Sequence, residues 1–264
     1  MQIETLDQLG DTYEHVYISP HLDDTPLSCG GAIAAQLAAG QRVLSITLCT
    51  AAPDPARPLS ALAEEFHSQW QLTAAQAVSA RLAEEREAMA RLPGLDYWWE
   101  GRLDAIYRFP EAYNTRESLF NTPDPRDPQF ADLAELFSAL RQRMPQATFY
   151  GPMGIGLHVD HLIAHTSLRS VFGNAVRFYE DLPYVAWPDT FDIRMAQLAD
   201  APRSAHAIAI DATLTQKIHA IHAYASQLYE LFGGAEAMEQ QIAGYAASVA
   251  PTGAHYGERV WQLG

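Results

Sequence analysis

The sequence predicts an α/β protein built on a mostly parallel sheet, and two stretches near the start of the chain carry that prediction. Val16-Tyr17-Ile18 is an apolar run that passes through Ser19-Pro20-His21-Leu22-Asp23-Asp24 into the small-residue segment Leu27-Ser28-Cys29-Gly30-Gly31-Ala32, which reads as a strand running into a helix. Val43-Leu44-Ser45-Ile46-Thr47-Leu48-Cys49-Thr50 is nearly continuous in apolar and β-branched residues, the pattern of a strand covered on both faces of a parallel sheet. Between them, small and apolar residues from Pro26 to Ala39 spell a tightly packed helix that Gly40 caps. Strand, helix and strand in this space make one βαβ unit.

The later elements follow from similar signals. Ala51 to Leu59 carries Pro53, Pro55 and Pro58, so it can extend neither a helix nor a central strand and reads as a loop flanking the sheet edge. Ser60 to Leu92 places Leu72, Ala75, Val78 and Leu82 at helical spacing, as one long helix or two, and Pro93-Gly94 ends it. Leu95 to Trp99 is a third strand, and Leu103 to Arg108 opens a long polar, proline-containing passage that reaches Asp127. Phe130 to Met144 repeats as a helix, Ala147 to Tyr150 is a short strand, Gly151 to Gly156 is a glycine-rich connection, and His158 to Val171 reads as another helix. Ala175 to Glu180 and Ala205 to Ile210 are further strands, helices cover Leu214 to Phe232 and Ala235 to Val249, and Val260-Trp261 is expected as an edge strand.

At 264 residues the chain suits a single domain spanning 1–264. Its apolar fraction of 48% and charged fraction of 19% are those of a globular protein, and no segment approaches the roughly 20 uninterrupted apolar residues of a membrane span. Seventeen basic against 32 acidic residues, net −15, oppose binding to a phosphate backbone, so no nucleic-acid partner is expected. Cys29 and Cys49 sit in small or apolar settings that suit reduced thiols, and Met1 to Asp7 shows neither a basic nor an apolar signal region; a cytoplasmic location is expected.

Two clusters carry chemistry. His21, Asp23 and Asp24 lie at the carboxyl end of the first strand, where open α/β folds bind ligands. Taken alone they also fit a helix cap, because aspartate is favoured at helix starts. The second cluster, His158-Val159-Asp160-His161, has the same placement after a strand and a glycine-rich turn, with His165 on the same helix face. Histidine nitrogen and carboxylate oxygen are the donors a catalytic zinc accepts, so a shared His/Asp/His site above one sheet edge is the economical outcome.

These residues resemble the PIG-L/LmbE-like zinc N-deacetylases over most of the chain. The first family motif, commonly Ala-His-Pro-Asp-Asp-Glu, stands here as Pro20-His21-Leu22-Asp23-Asp24-Thr25, and the second, His-x-Asp-His, as His158-Val159-Asp160-His161. Asp104-Ala105-Ile106-Tyr107-Arg108, Tyr179-Glu180-Asp181-Leu182-Pro183-Tyr184, and Lys217 with Tyr224-Ala225-Ser226-Gln227 are similar to a bacterial branch of that family. The resemblance implies a Rossmann-like three-layer α/β/α sandwich, the LmbE-like fold, and a hydrolase that removes an acetyl or similar small acyl group from an N-acylated amino sugar or its conjugate. It also implies that His21, Asp24 and His161 hold zinc, with iron(II) as the alternative metal, that Asp23 is the general base, and that His158 steadies the oxyanion or acts as acid with Asp160 orienting it.

Bound zinc lowers the pKa of water to about 7, and a free carboxylate beside it can take the remaining proton. Asp24 facing the metal leaves Asp23 facing the water, a histidine kept charged by Asp160 offsets developing negative charge, and either Asp23 or His158 protonates the leaving amine. Asp104 and Arg108 follow a strand and are candidates for substrate contact, as is Asp181, which could equally meet a zinc-bound histidine. Arg81 stands at i+3 and i+4 spacing from Glu84 and Glu85, the pattern of a solvated helix face, whereas the resemblance puts an arginine near the substrate. The rival readings are a carbohydrate-binding module that keeps the metal without turnover and a zinc amidohydrolase for non-sugar amides; a homo-oligomer is left open.

Overall fold

The computed structural model describes residues 1–199, 201 and 203–264. The chain begins with β1 (Gln2–Ile3) and β2 (His15–Ser19), then α1 (Asp24–Ala38), β3 (Val43–Cys49), α2 (Ala61–Trp70), α3 (Ala74–Ala90) and β4 (Asp96–Arg102). Two single turns, α4 (Ala105–Arg108) and α5 (Arg116–Leu119), precede α6 (Gln129–Arg143), β5 (Thr148–Pro152), α7 (Val159–Phe172) and β6 (Arg177–Tyr179). The remainder is α8 (Thr190–Gln197), β7 (Arg203–Ala209), α9 (Leu214–Ile221), α10 (Ala225–Phe232), α11 (Ala235–Ser248) and β8 (Gly257–Leu263).

Among the described residues eight strands form one sheet in the order β1-β4-β3-β2-β5-β6-β8-β7. The pairs from β1 to β6 are parallel, and β8 runs antiparallel to both β6 and β7. Because side chains alternate across a strand, each parallel strand feeds two cores. Val16, Ile18, Leu44, Ile46 and Phe149 pack with Leu133, Phe137 and Leu140 of α6 and Ile163 and Leu168 of α7 on one face. Tyr17, Tyr97, Tyr150 and Tyr179 pack with Ile33 of α1, Met89 of α3 and Ala220 of α9 on the other. Each fully buried aliphatic side chain contributes about 1.5–3 kcal/mol, so the two helical layers are held by the sheet's own alternation. The result is the three-layer α/β/α arrangement.

Three local readings are refined. The predicted helical run from Ser60 is two helices: Gln71 adopts a left-handed φ of 54° at the end of α2, and Thr73 with Gln76 forms a capping box that restarts the chain as α3. The third strand continues past Trp99 to Arg102. Val260-Trp261 lies in β8, which is interior and not an edge, because β7 pairs with it along its whole length and takes the edge position.

One consequence concerns Glu85 of α3, which is fully buried and accepts hydrogen bonds from Thr47 Oγ1 (3.0 Å) and the Tyr224 hydroxyl. Burial pushes its carboxyl from the ordinary 4.5 up to about 7, against the lowering effect of those two bonds. The folded chain therefore holds this proton more tightly than the unfolded one. The stability it confers is complete below pH 4.5 and is lost as pH rises to about 7. Glu85→Gln, which resembles the protonated acid, is expected to flatten the stability–pH curve over that window by about 3 kcal/mol in chemical denaturation; an unchanged slope would sink this reading.

Candidate metal centre

The strand order reverses between β2 and β5, and such a switch point opens a crevice at the carboxyl edge of the sheet. Both clusters sit there. In the parallel register Tyr17 lies opposite Tyr150, so the turns leaving β2 and β5 emerge side by side. Ser19 Oγ donates to the His21 carbonyl (2.7 Å) and accepts from the Thr25 amide (3.2 Å), while the His21 amide donates to Asp24 Oδ2 (2.7 Å). This tight turn forces Asp23 to a φ of 112°, a strained conformation for a residue with a side chain. On the second turn, Gly154 and Gly156 take φ of 82° and 89°, and a Cβ on Gly156 would lie 2.5 Å from Tyr184 Cγ. His158 then caps α7, its Nδ1 accepting from the Asp160 amide at 3.2 Å.

His21 Nδ1 lies 3.3 Å from His161 Nε2, His161 Nε2 lies 3.4 Å from Asp24 Oδ1, and His21 Nδ1 lies 3.7 Å from Asp24 Oδ2. Donors bound to one zinc at 2.0–2.1 Å with tetrahedral angles stand about 3.3 Å apart, so His21 and His161 are spaced for a shared divalent metal, with Asp24 near both through different oxygens and His158 also offering a nitrogen within 4.8 Å of theirs. The opposite ring nitrogens fix the tautomers. His161 Nδ1 donates to Asp181 Oδ1 (2.7 Å) and His21 Nε2 to Asp160 Oδ2 (3.1 Å), so the inner nitrogens are the ones a metal would take on displacing their protons. The field favours positive charge: although burial opposes it, the Asp160 hydrogen bond with the charges of Asp104, Asp24 and Asp160 raises His21 to about 9, and Asp24 and Asp181 raise His161. His158 is the opposite case. Burial and the neighbouring His21 hold it well below its usual value, so it is neutral, with its proton on Nε2.

Asp23 stands outside the trio. Its Oδ2 accepts from Arg81 Nη2 at 2.9 Å, and burial with the Asp24 charge pushes its carboxyl up to about 7 against the pull of Arg81. Arg81 therefore does not lie on a solvated face with Glu84 and Glu85; it turns inward, its second contact being the Leu22 carbonyl at 2.5 Å.

Asp160 does not clamp the His158 ring as the sequence suggested. Its Oδ2 takes His21 Nε2 and the Ala105 amide (3.0 Å), and its Oδ1 takes Arg108 Nη2 (2.7 Å). Arg108 grips Asp127 through Nε (2.9 Å) and Nη2 (2.8 Å) and the Leu103 carbonyl through Nη1 (2.7 Å). Its guanidinium is thus consumed behind the site, away from any substrate position. Asp181 is likewise turned inward, its Oδ2 accepting from the Gly154 and Ile155 amides (2.8 and 2.9 Å), so one carboxylate fixes both the glycine-rich turn and His161. Asp104 stays on the cavity wall, with Oδ2 3.4 Å from His21 Nε2. His165 bonds the Pro152 carbonyl through Nδ1 (3.0 Å) beneath the site, and Lys217 pairs with Glu258 (2.5 Å) in the helical layer.

Above these groups opens a cavity of about 350 Å³. Its floor is His21, Asp23, Asp24 and His158, and its walls include Phe66, Phe120, Tyr184, Trp187 and Leu231. No family model matches the chain. A 2'-N-acetylparomamine deacetylase from Streptomyces fradiae is 29% identical over 259 residues, covering 92% of this chain and 88% of that protein. A solved teicoplanin deacetylase superposes with a TM-score of 0.78 at 26% identity, covering 94% of this chain and 97% of its own, and a zinc-inhibited form of such an enzyme with 0.75 at 25%, with the same coverage. The N,N'-diacetylchitobiose deacetylase of Pyrococcus horikoshii, at 16% identity with coverage of 94% and 82% and a TM-score of 0.56, shares the fold. The chain is thus similar in sequence to these deacetylases and shares the fold of the LmbE-like enzymes among them.

The sequence left several neighbours of the site unseen. Asp127 gives only a capping signal, accepting from the Gln129 amide (2.9 Å), although it also anchors Arg108. Phe120, whose ring meets His158 edge-on at 5.1 Å, and Trp187 lie in stretches without periodic pattern.

Proposed function

We propose that the chain is a zinc-dependent N-deacetylase that releases acetate, or a similarly small acyl group, from an amino sugar carried on a larger conjugate. The observation that supports this most strongly is the convergence of His21 Nδ1, His161 Nε2 and Asp24 within 3.3–3.7 Å, with the Asp23 carboxylate beside them and outside the trio. His21, His161 and Asp24 would hold the zinc, which would lower the pKa of its water to near 7 and polarise the substrate carbonyl. Asp23, poised near 7, accepts the proton of the attacking water and carries it toward the amine nitrogen. His158, neutral and protonated on Nε2, donates a hydrogen bond to the carbonyl oxygen as it gains charge. Asp160 orients His21 and Asp181 orients His161; Arg81 holds Asp23, and Asp104 offers the substrate a carboxylate on the cavity wall.

The aromatic and aliphatic walls suit a sugar face stacked on a ring and an apolar portion beyond it, which favours a conjugate over a free monosaccharide. Among the described residues no helix is long and apolar enough to cross a membrane. Both cysteines are buried and free, which suits a reducing, cytoplasmic compartment, and the net charge of −15 favours a small-molecule substrate over nucleic acid. Acetate release should be measured on N-acetylglucosaminides with and without an apolar aglycone, before and after chelation. Chelator-sensitive turnover that is faster with the aglycone is expected, and metal binding with no turnover on any amide would replace the enzyme with a binding module.

A further inference from the structure

A chamber of about 60 Å³ adjoins the substrate cavity, and His21, Arg81, Asp104 and Ile106 line both. Its other walls are mainly small and apolar, with Ala51, Ala77 and Val78 among them, and Tyr107 borders it as well. That volume equals two liquid waters at roughly 30 Å³ each, the scale of an acetate ion and far below that of a sugar ring. Arg81 brings to it a donor that nothing uses. Its Nη2 is engaged by Asp23 and the Leu22 carbonyl, while its Nε is buried and has no hydrogen-bond partner among the described residues. Ile106 and Tyr107 also line a third cavity of about 290 Å³, where Asp54, Arg57 and Pro58 are exposed. The three cavities thus follow one another around α4, from the metal centre to a second opening on the surface. Tyr107 stands between the chamber and the outer cavity, its hydroxyl donating to His67 Nε2 at 2.8 Å, a nitrogen that accepts because Nδ1 faces the Leu72 carbonyl at 3.2 Å.

We propose that this chamber is a binding site for the small carboxylate that hydrolysis releases, and that acetate leaves through it and past Tyr107 while the deacylated conjugate still fills the main cavity. The proposal rests on the deacetylase reading above. Hydrolysis puts the oxygen of water on the acyl carbon and its protons on the departing amine, so each turnover yields one carboxylate and one ammonium and needs no further reactant. The carboxylate forms on the cavity floor, beneath a conjugate that occupies the mouth. The chamber beside that floor meets its methyl group with Ala77 and Val78 and offers Arg81 Nε to a carboxylate oxygen. Asp104 on the same wall opposes an anion, so the ion is held loosely enough to move on.

The test fills the chamber from two different elements, with Ala77→Leu in α3 and Ala51→Leu in the loop after β3, neither of which touches the catalytic groups. Metal-loaded wild type and variants are compared on an N-acetylglucosaminide with an apolar aglycone by steady-state and quenched-flow assay of acetate. Each variant is expected to keep kcat/KM and the single-turnover rate, lose about tenfold in kcat, and form about one equivalent of acetate in a burst before the slow phase, because release and not chemistry then limits turnover. Added sodium acetate, against sodium chloride at equal ionic strength, is expected to inhibit the wild type non-competitively with the conjugate, and to lose that effect in both variants. Unchanged kcat without a burst, single-turnover rates that fall along with kcat, or acetate that competes with the conjugate in the wild type would each overturn the proposal. The last of these reads the wild type alone, so the test stands even where a variant misfolds. Absence of acetate from every amide in single turnover would instead count against the deacetylase reading itself.

Discussion

Asp23→Asn is expected to keep its metal and lose activity by about 10²- to 10⁴-fold, the range for removing a positioned general base. Asparagine is the appropriate probe because the position demands a φ of 112°, which asparagine tolerates better than alanine. Its side-chain oxygen can still accept the hydrogen bond from Arg81 Nη2, so the turn and the three converging donors stay in place. What is lost is the ability to bind a proton. The measurement is kcat alongside metal content per chain; activity within tenfold of wild type, or metal lost together with activity, would contradict the separation of base from ligands.

Arg108→Met is expected to destabilise the fold by about 3–5 kcal/mol, because one guanidinium neutralises two buried carboxylates. The Asp127 and Asp160 side chains are 0% and 2% exposed, and Arg108 lies 2.8 and 2.7 Å from them. Beside Arg108 the Asp160 carboxyl sits well below the usual carboxylate range despite its burial; without the arginine it protonates or withdraws. His21 then loses the acceptor for its Nε2 proton, so metal affinity should fall by about 10–100-fold as well. Arg108→Lys keeps the charge but cannot bridge both acids in the same geometry, and should recover only part of either loss. Chemical denaturation and competitive chelation read the two effects, and a cost under about 1 kcal/mol would show that the cluster is not stabilising as described.

The parts of this arrangement legible in the sequence are those carried by local spacing. Ser19 to Asp24 and His158 to His161 each follow an apolar run and precede a helical one, which places both at strand ends without knowledge of the fold. What spacing cannot supply is the partner. His21 and Asp160 are 139 positions apart, and the assignment of Asp160 to His21 instead of His158 depends on the turn geometry that leaves the His158 Nδ1 occupied by a backbone amide. Arg81 shows the same limit. Its helical spacing from Glu84 and Glu85 is real, yet the ion pair with the buried Asp23 carboxylate at 2.9 Å outweighs a surface pairing worth a few tenths of a kcal/mol. The interior position of β8 was hidden for a related reason, since a strand pairs according to what returns beside it and β7 is separated from it by three helices.

The central claim is that two strand-end clusters share one metal while Asp23 remains outside its shell. A crystal structure of the protein loaded with a single equivalent of zinc, with the ion located by its anomalous scattering, tests this directly. The expected result is one ion bonded to His21 Nδ1, His161 Nε2 and Asp24, with Asp23 unbonded and within hydrogen-bond reach of a water on the metal. An ion held through His158 in place of Asp24, through Cys49 and Asp160, or by Asp23 itself would contradict the account.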